Sequence, residues 1–102
     1  MRKLLISTVA AAAVLAAGSA QAADKLKIGF MATLEGTYTV LGEDGQRGFE
    51  VAMKEAKGMA GGREIEVIVG ATDASPDSAL RAARKLVEQD KVDIIIGPLT
   101  GS

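Results

Sequence analysis

Val92-Asp93-Ile94-Ile95-Ile96-Gly97-Pro98-Leu99-Thr100-Gly101-Ser102 is the stretch whose reading decides the fold. Valine and three consecutive isoleucines are β-branched and suit an extended, pleated backbone. They are apolar at odd and even positions alike, the pattern of a strand buried on both faces, as in the parallel sheets of α/β proteins. Gly97-Pro98 ends the strand, because proline has no amide for the ladder and restricts the residue before it. Thr100, Gly101 and Ser102 then offer small hydroxyls and bare amides. In open parallel sheets ligands lie beyond the carboxyl ends of the strands, so Leu99, Thr100, Gly101 and Ser102 form a candidate binding loop.

Working back from this strand, Ser75-Pro76-Asp77 reads as a helix start, with Ser75 as N-cap, Pro76 at the first helical position and Asp77 beside the helix dipole. The helix should run to about Gln89, with an apolar stripe of Ala79, Leu80, Ala83, Leu86 and Val87 and with Arg81, Arg84, Lys85 and Glu88 facing water. Glu64-Ile65-Glu66-Val67-Ile68-Val69 is a second strand, entered from a turn at Gly61-Gly62-Arg63. Further upstream, Phe49, Ala52, Met53 and Ala56 fall at helical spacing, with Gly58 as the expected C-cap. Glu43 and Asp44 are expected near the positive end of that helix's dipole. Lys25-Leu26-Lys27-Ile28-Gly29-Phe30-Met31 is the first strand. Between it and the helix lies an expected loop over 33–41, longer than the usual connection of this kind. Long loops at strand ends often carry function. Thr33, Glu35, Thr37, Tyr38 and Thr39 make it rich in hydroxyls, and Tyr38 is placed to stack on or cover an apolar part of a ligand.

The order β-α-β-α-β predicts a doubly wound α/β fold with a parallel sheet in the strand order 2-1-3. Strand-end loops at about 33–42, 70–75 and 97–102 then share one edge. The third strand is left with a row of unpaired amides along its free side. Residues 23–102 are few for a single core, which leads to the expectation of a partial domain.

The first 22 residues stand apart. Met1-Arg2-Lys3 is a positive start, residues 4–17 are apolar apart from Ser7 and Thr8, and Gly18-Ser19-Ala20-Gln21-Ala22 supplies small residues in an Ala-x-Ala arrangement. These parts in this order make a secretory signal peptide, with cleavage expected after Ala22. The apolar run is shorter than the roughly 20 residues a spanning helix needs. Export from the cytoplasm follows as the expectation.

Of the 102 residues, 48% are hydrophobic and 25% charged, a globular balance with a net charge of −1. With Arg2 and Lys3 set aside, 10 bases stand against 13 acids. No basic patch and only three aromatic residues argue against a nucleic-acid surface. Cysteine and histidine are absent, which removes the usual zinc and iron–sulfur ligands and the base of Ser-His-Asp or Cys-His catalysis. No metal, no cofactor and no catalytic residue is expected. Gly42, Gly45 and Gly48 are spaced three and three, unlike a dinucleotide-binding Gly-x-Gly-x-x-Gly turn. Close packing of the helix on the sheet explains them better. Glu43 and Asp44 are adjacent and would point in different directions on a helix, which suits dipole complementation better than paired acid–base work.

Taken in order, Lys27-Ile28-Gly29-Phe30 with the Gly36-Thr37-Tyr38 loop, Gly42-x-x-Gly45-Gln46-Arg47-Gly48-Phe49-Glu50, Thr72-Asp73-Ala74-Ser75-Pro76 and Val92-Asp93-Ile94-Ile95-Ile96-Gly97-Pro98 resemble the start of a type I periplasmic solute-binding protein. The nearest group is the leucine/isoleucine/valine-binding branch of the ABC transporter receptors. The resemblance covers the whole chain after the leader. It implies two α/β lobes that close on a ligand and deliver it to an ABC permease in the inner membrane, with residues 23–102 as part of the amino-terminal lobe of a receptor that is monomeric at full length. It also implies a ligand carboxylate held by hydroxyls and amides of Leu99, Thr100, Gly101 and Ser102. Amino-acid binders of this group carry a serine where Gly101 stands and a tyrosine near Leu41. Their absence here leaves a branched-chain amino acid and an aromatic or aliphatic acid both open as the small carboxylate. The ligand-sensing domain of a signalling receptor shares the fold and is the competing expectation, with a nucleotide-dependent enzyme behind it.

Overall fold

The computed structural model describes residues 24–99. The expected leader at 1–22 and Thr100, Gly101 and Ser102 lie outside the described residues. The chain runs β1 (Leu26–Thr33), α1 (Thr39–Glu55), β2 (Met59–Ala60), β3 (Arg63–Thr72), α2 (Pro76–Arg84) and β4 (Ile94–Ile96). A π-helical turn, Lys85–Gln89, continues α2 to the expected end. The sheet order is β2-β3-β1-β4. β1 pairs in parallel with β3 on one side and with β4 on the other, which is the 2-1-3 order expected for the three long segments. The two-residue β2 pairs antiparallel with the start of β3 and was not expected. It forms because Gly61 and Gly62 both take positive φ, at 55° and 76°, and fold the chain straight back.

The strands sort the sheet into two faces. Gly29 and Met31 of β1 and Ile68 and Gly70 of β3 point to one side. There Leu86, from the π-helical turn, is 1% exposed. A Cβ on Gly29 or on Gly70 would stand 3.0 Å from its Cδ1, so the leucine fills a hole made by two missing side chains. Ile28 and Phe30 with Val67 and Val69 point to the other side, where α1 lies. Phe30 stacks on Phe49 of α1 with ring centroids 4.5 Å apart and planes at 13°.

Several expectations need correction. The connection after β1 is shorter than the 33–41 loop, because Thr33 ends β1 and Thr39 and Leu41 already belong to α1. Gly42, Gly45 and Gly48 are therefore inside the helix. Only Gly42 is packed to the limit: a Cβ there would fall 1.6 Å from the Thr33 carbonyl oxygen, whereas Gly48 faces open space. Glu43 and Asp44 sit in the second turn, and the first turn holds no acid. Asp44 instead pairs with Arg47. α1 closes on two left-handed residues, Lys57 at φ 54° and Gly58 at φ 65°, with Gly58 donating to the Met53 carbonyl at 2.9 Å, a Schellman ending that begins one residue before the expected glycine. Ala52 is exposed on α1 and Ala56 just after it, and so are Leu80 and Val87 of the expected α2 stripe, because that helix meets the glycines of the sheet through Leu86 and the small Ala82.

β4 is also less buried than its apolar run implies. Ile94 is 47% exposed, because among the described residues β4 is an edge strand paired only with β1. The amino end of the sheet is held by polar bonds. Asp93 donates its amide to the Lys27 carbonyl at 2.8 Å and accepts the Lys27 amide at 2.9 Å. Arg63 donates from Nε to the Asp24 carbonyl at 2.7 Å and from Nη2 to the Lys25 carbonyl at 3.0 Å. No helix of the described residues is long and apolar enough to cross a membrane.

Candidate functional site

The three parallel strands end at one edge of the sheet, at Thr33, Thr72 and Ile96. The segments that leave them there form a rim, as parallel topology requires. The first is residues 34–38. Leu34 and Glu35 both donate their amides to the Thr72 carbonyl, at 3.0 and 3.2 Å. Gly36 turns the chain at φ 81°, and its carbonyl accepts the Thr39 hydroxyl at 2.7 Å. Tyr38 is the residue before α1, with no side-chain cap on the helix. Its carbonyl takes the amides of Leu41 and Gly42 at 3.0 and 3.3 Å, and its ring is exposed at the rim.

The second segment follows β3. Ser75 caps α2 as the sequence predicts, accepting the Ser78 amide at 3.2 Å. Ser78, buried, donates its hydroxyl to the Ser75 carbonyl at 2.9 Å and accepts the Asp73 amide at 3.1 Å. The Ser75 hydroxyl, the Ser78 hydroxyl and the Ser75 amide together lower the Asp73 carboxyl from 3.8 to about 2. Of these contacts the amide bond is explicit, 2.9 Å from Ser75 N to Oδ1.

The third segment leaves β4. Gly97 has φ 97°, and a Cβ there would meet the Met31 carbonyl oxygen at 2.3 Å. Only glycine lets the chain cross the end of β1 so closely. Leu99 is exposed and reaches α1, its Cδ1 3.5 Å from where a Cβ on Gly45 would stand. The structure thus brings Tyr38 and Leu99 to the same end of α1. Thr100, Gly101 and Ser102, the other expected site residues, fall outside the described residues.

Thr33, Thr72, Asp73, Ser78 and Gly42 shape this rim although none was singled out as a ligand-binding residue; all but Ser78 fall within the strand-end loops expected at 33–42 and 70–75. Their signal in the sequence was faint: a threonine at the close of each of two strands, and one glycine among three. Around the rim the charged side chains of residues 34–38 and 73–75 are both acidic, Glu35 and Asp73. An anionic group there has to be met by amides and hydroxyls. Among the described residues no group of three or more Asp or Glu is gathered to hold a metal ion. The glycines at 42, 45 and 48 lie within α1 rather than between a strand and a helix, which removes the geometry of a dinucleotide-binding turn.

A parallel βαβαβ segment with its loops gathered at the strand ends is a partial α/β domain. Residues 25–102 match the family model of the periplasmic binding proteins, and the chain belongs to that family. It is similar to Leu/Ile/Val-binding protein homolog 1 of Brucella abortus, 36% identical over 99 residues that cover 95% of this chain and 26% of the relative. Among solved structures it resembles a solute-binding protein of an ABC transporter from R. palustris in complex with benzoate, with 34% identity and a TM-score of 0.67 over 72% of this chain and 21% of that one. It also resembles the substrate-binding protein of a branched-chain amino acid transporter from Streptococcus pneumoniae in complex with isoleucine. There the identity is 31% and the TM-score 0.67, over 74% of this chain and 22% of that one. The chain spans about a quarter of the length of the curated relatives it matches. The relatives are solute-binding proteins rather than enzymes.

Proposed function

We propose that residues 23–102 form the first part of the amino-terminal lobe of a two-lobed receptor, which captures a small carboxylate in the periplasm and passes it to an ABC permease. The observation that carries this reading is the shared rim, where Tyr38 and Leu99 stand exposed at the carboxyl ends of parallel strands. The relatives support the ligand class, since one similar structure holds benzoate and another isoleucine. Capture needs no chemistry. The ligand's carboxylate is met by amides and hydroxyls of Leu99, Thr100, Gly101 and Ser102, and Tyr38 covers its apolar part. A second lobe closing over the rim would supply the enclosure that small-molecule sites need.

The deciding experiment is ligand-induced thermal stabilisation of the full-length protein, screened with L-leucine, L-isoleucine, benzoate and NAD. Stabilisation by an amino acid or an aromatic acid is the expected result, and stabilisation by NAD alone overturns the reading. In the same protein Thr100→Val or Ser102→Ala should weaken binding by about 1–3 kcal/mol. Wild-type affinity in both removes the loop from the site. Amino-terminal sequencing of the exported product should begin at Ala23.

A further inference from the structure

Thr33 and Thr72 are register partners at the carboxyl ends of β1 and β3. Both are sealed from water, at 0% and 2% exposure. Partners on adjacent strands project to the same side of a sheet, and here the two Oγ1 atoms lie 3.2 Å apart. Valine has nearly the same shape and would fill this space without a polar group to satisfy. Two buried hydroxyls at one register position therefore do something that packing alone does not require.

What they join is the rim. The Thr72 carbonyl receives the amides of Leu34 and Glu35, so the first rim segment turns out of β1 directly over Thr72. On the Thr33 side, α1 presses its Gly42 against the backbone with no room for a Cβ. The next residue after Thr72 is Asp73, whose amide is held by Ser78 Oγ at 3.1 Å and whose carbonyl lies 3.6 Å from the Cβ position of Gly36. The segment bearing Tyr38 and the turn capping α2 thus meet at the backbone of the Thr33–Thr72 register pair, which the hydroxyl-to-hydroxyl bond joins.

We infer that the Thr33–Thr72 pair is a positioning device, which locks residues 34–38 onto the β3–α2 turn so that Tyr38 is in place before a ligand arrives. A segment already ordered loses less freedom on binding, and so binds more tightly for the same contacts. The inference rests on reading the rim as a ligand site. Neither threonine needs to touch the ligand.

The test uses the full-length protein and the double variant Thr33→Val/Thr72→Val, with Thr72→Ser as the conservative control. Removing both hydroxyls together leaves no orphaned buried group, so the melting temperature should stay close to that of the wild type. Amide exchange at Leu34 and Glu35 should accelerate about tenfold in the double variant, and affinity for L-isoleucine or benzoate should fall about tenfold. Thr72→Ser should keep both properties. Wild-type exchange and affinity in the double variant would overturn the inference, since the pair would then be packing only. If the wild type binds neither L-isoleucine nor benzoate, the ligand reading fails by itself, and the exchange rates still decide whether the pair locks the segment. Should the double variant not fold, Thr33→Val and Thr33→Ser read the same two amides: faster exchange in Thr33→Val with wild-type exchange in Thr33→Ser supports the lock, and wild-type exchange in both overturns it.

Discussion

Leu86 packs against one face of the β1–β3 pair and Val69 of β3 projects from the other, yet Leu86 is 1% exposed and Val69 39%. On the Leu86 face two glycines, Gly29 and Gly70, leave a socket, and one side chain from the π-helical turn fills it. On the Val69 face both partners are bulky. Phe30 and Phe49 meet ring to ring and hold α1 away from β3, leaving a cleft of about 380 Å³ lined by Phe30, Phe49, Met53, Val67 and Val69. The contrast shows that a sheet face is closed by complementary shape rather than by the amount of apolar surface offered to it.

The sharpest way to break that contrast is Leu86→Ala, which empties the socket and should destabilise the protein by about 4 kcal/mol in urea unfolding. Val69→Ala on the open face should lose about 1 kcal/mol or less, because much of that side chain is already in water. Equal losses at the two positions would show that the faces are packed alike. Next in size is Gly42→Ala. The added methyl has to push α1 off the Thr33 carbonyl, and the loss should be about 3 kcal/mol, with Gly48→Ala as a neutral or slightly stabilising control by helix propensity. Ser75→Ala removes the cap that starts the helix leading to the Leu86 socket and should lower stability by about 1 kcal/mol. The smallest effect is on pH. Asp73 is depressed from 3.8 to about 2 in the folded protein. Its contribution is fully present above about pH 4 and is lost as pH falls toward 2. Asp73→Asn should flatten that part of the stability profile, and an unchanged slope would mean that the serine contacts do not favour the charged form.

The strand order was readable in advance because each long segment had its own period and its own punctuation. Ser75-Pro76-Asp77 announced α2 through cap chemistry that is local in the chain, and it forms as expected. The start of α1 was hidden for the opposite reason. Tyr38 provides no capping side chain, and glycines at 42, 45 and 48 lower helix propensity just where the helix begins. What overrides them is tertiary: the Thr33 backbone admits only a glycine at that turn. The burial of β4 was overestimated because an apolar run reports what a strand can pack against, not whether neighbours cover it. At the rim, Tyr38 and Leu99 were legible as members of strand-end loops. The Thr33–Thr72 bond was not, since it joins residues 39 positions apart and no local pattern marks it.

Arg63 clasps the carbonyls of Asp24 and Lys25 from the neighbouring strand. This fastens the first strand at its very beginning, just ahead of Leu26, where its ladder with β3 starts. A strand pinned at its entry in this way is held to one register, because a slip by one residue would carry both carbonyls away from the guanidinium.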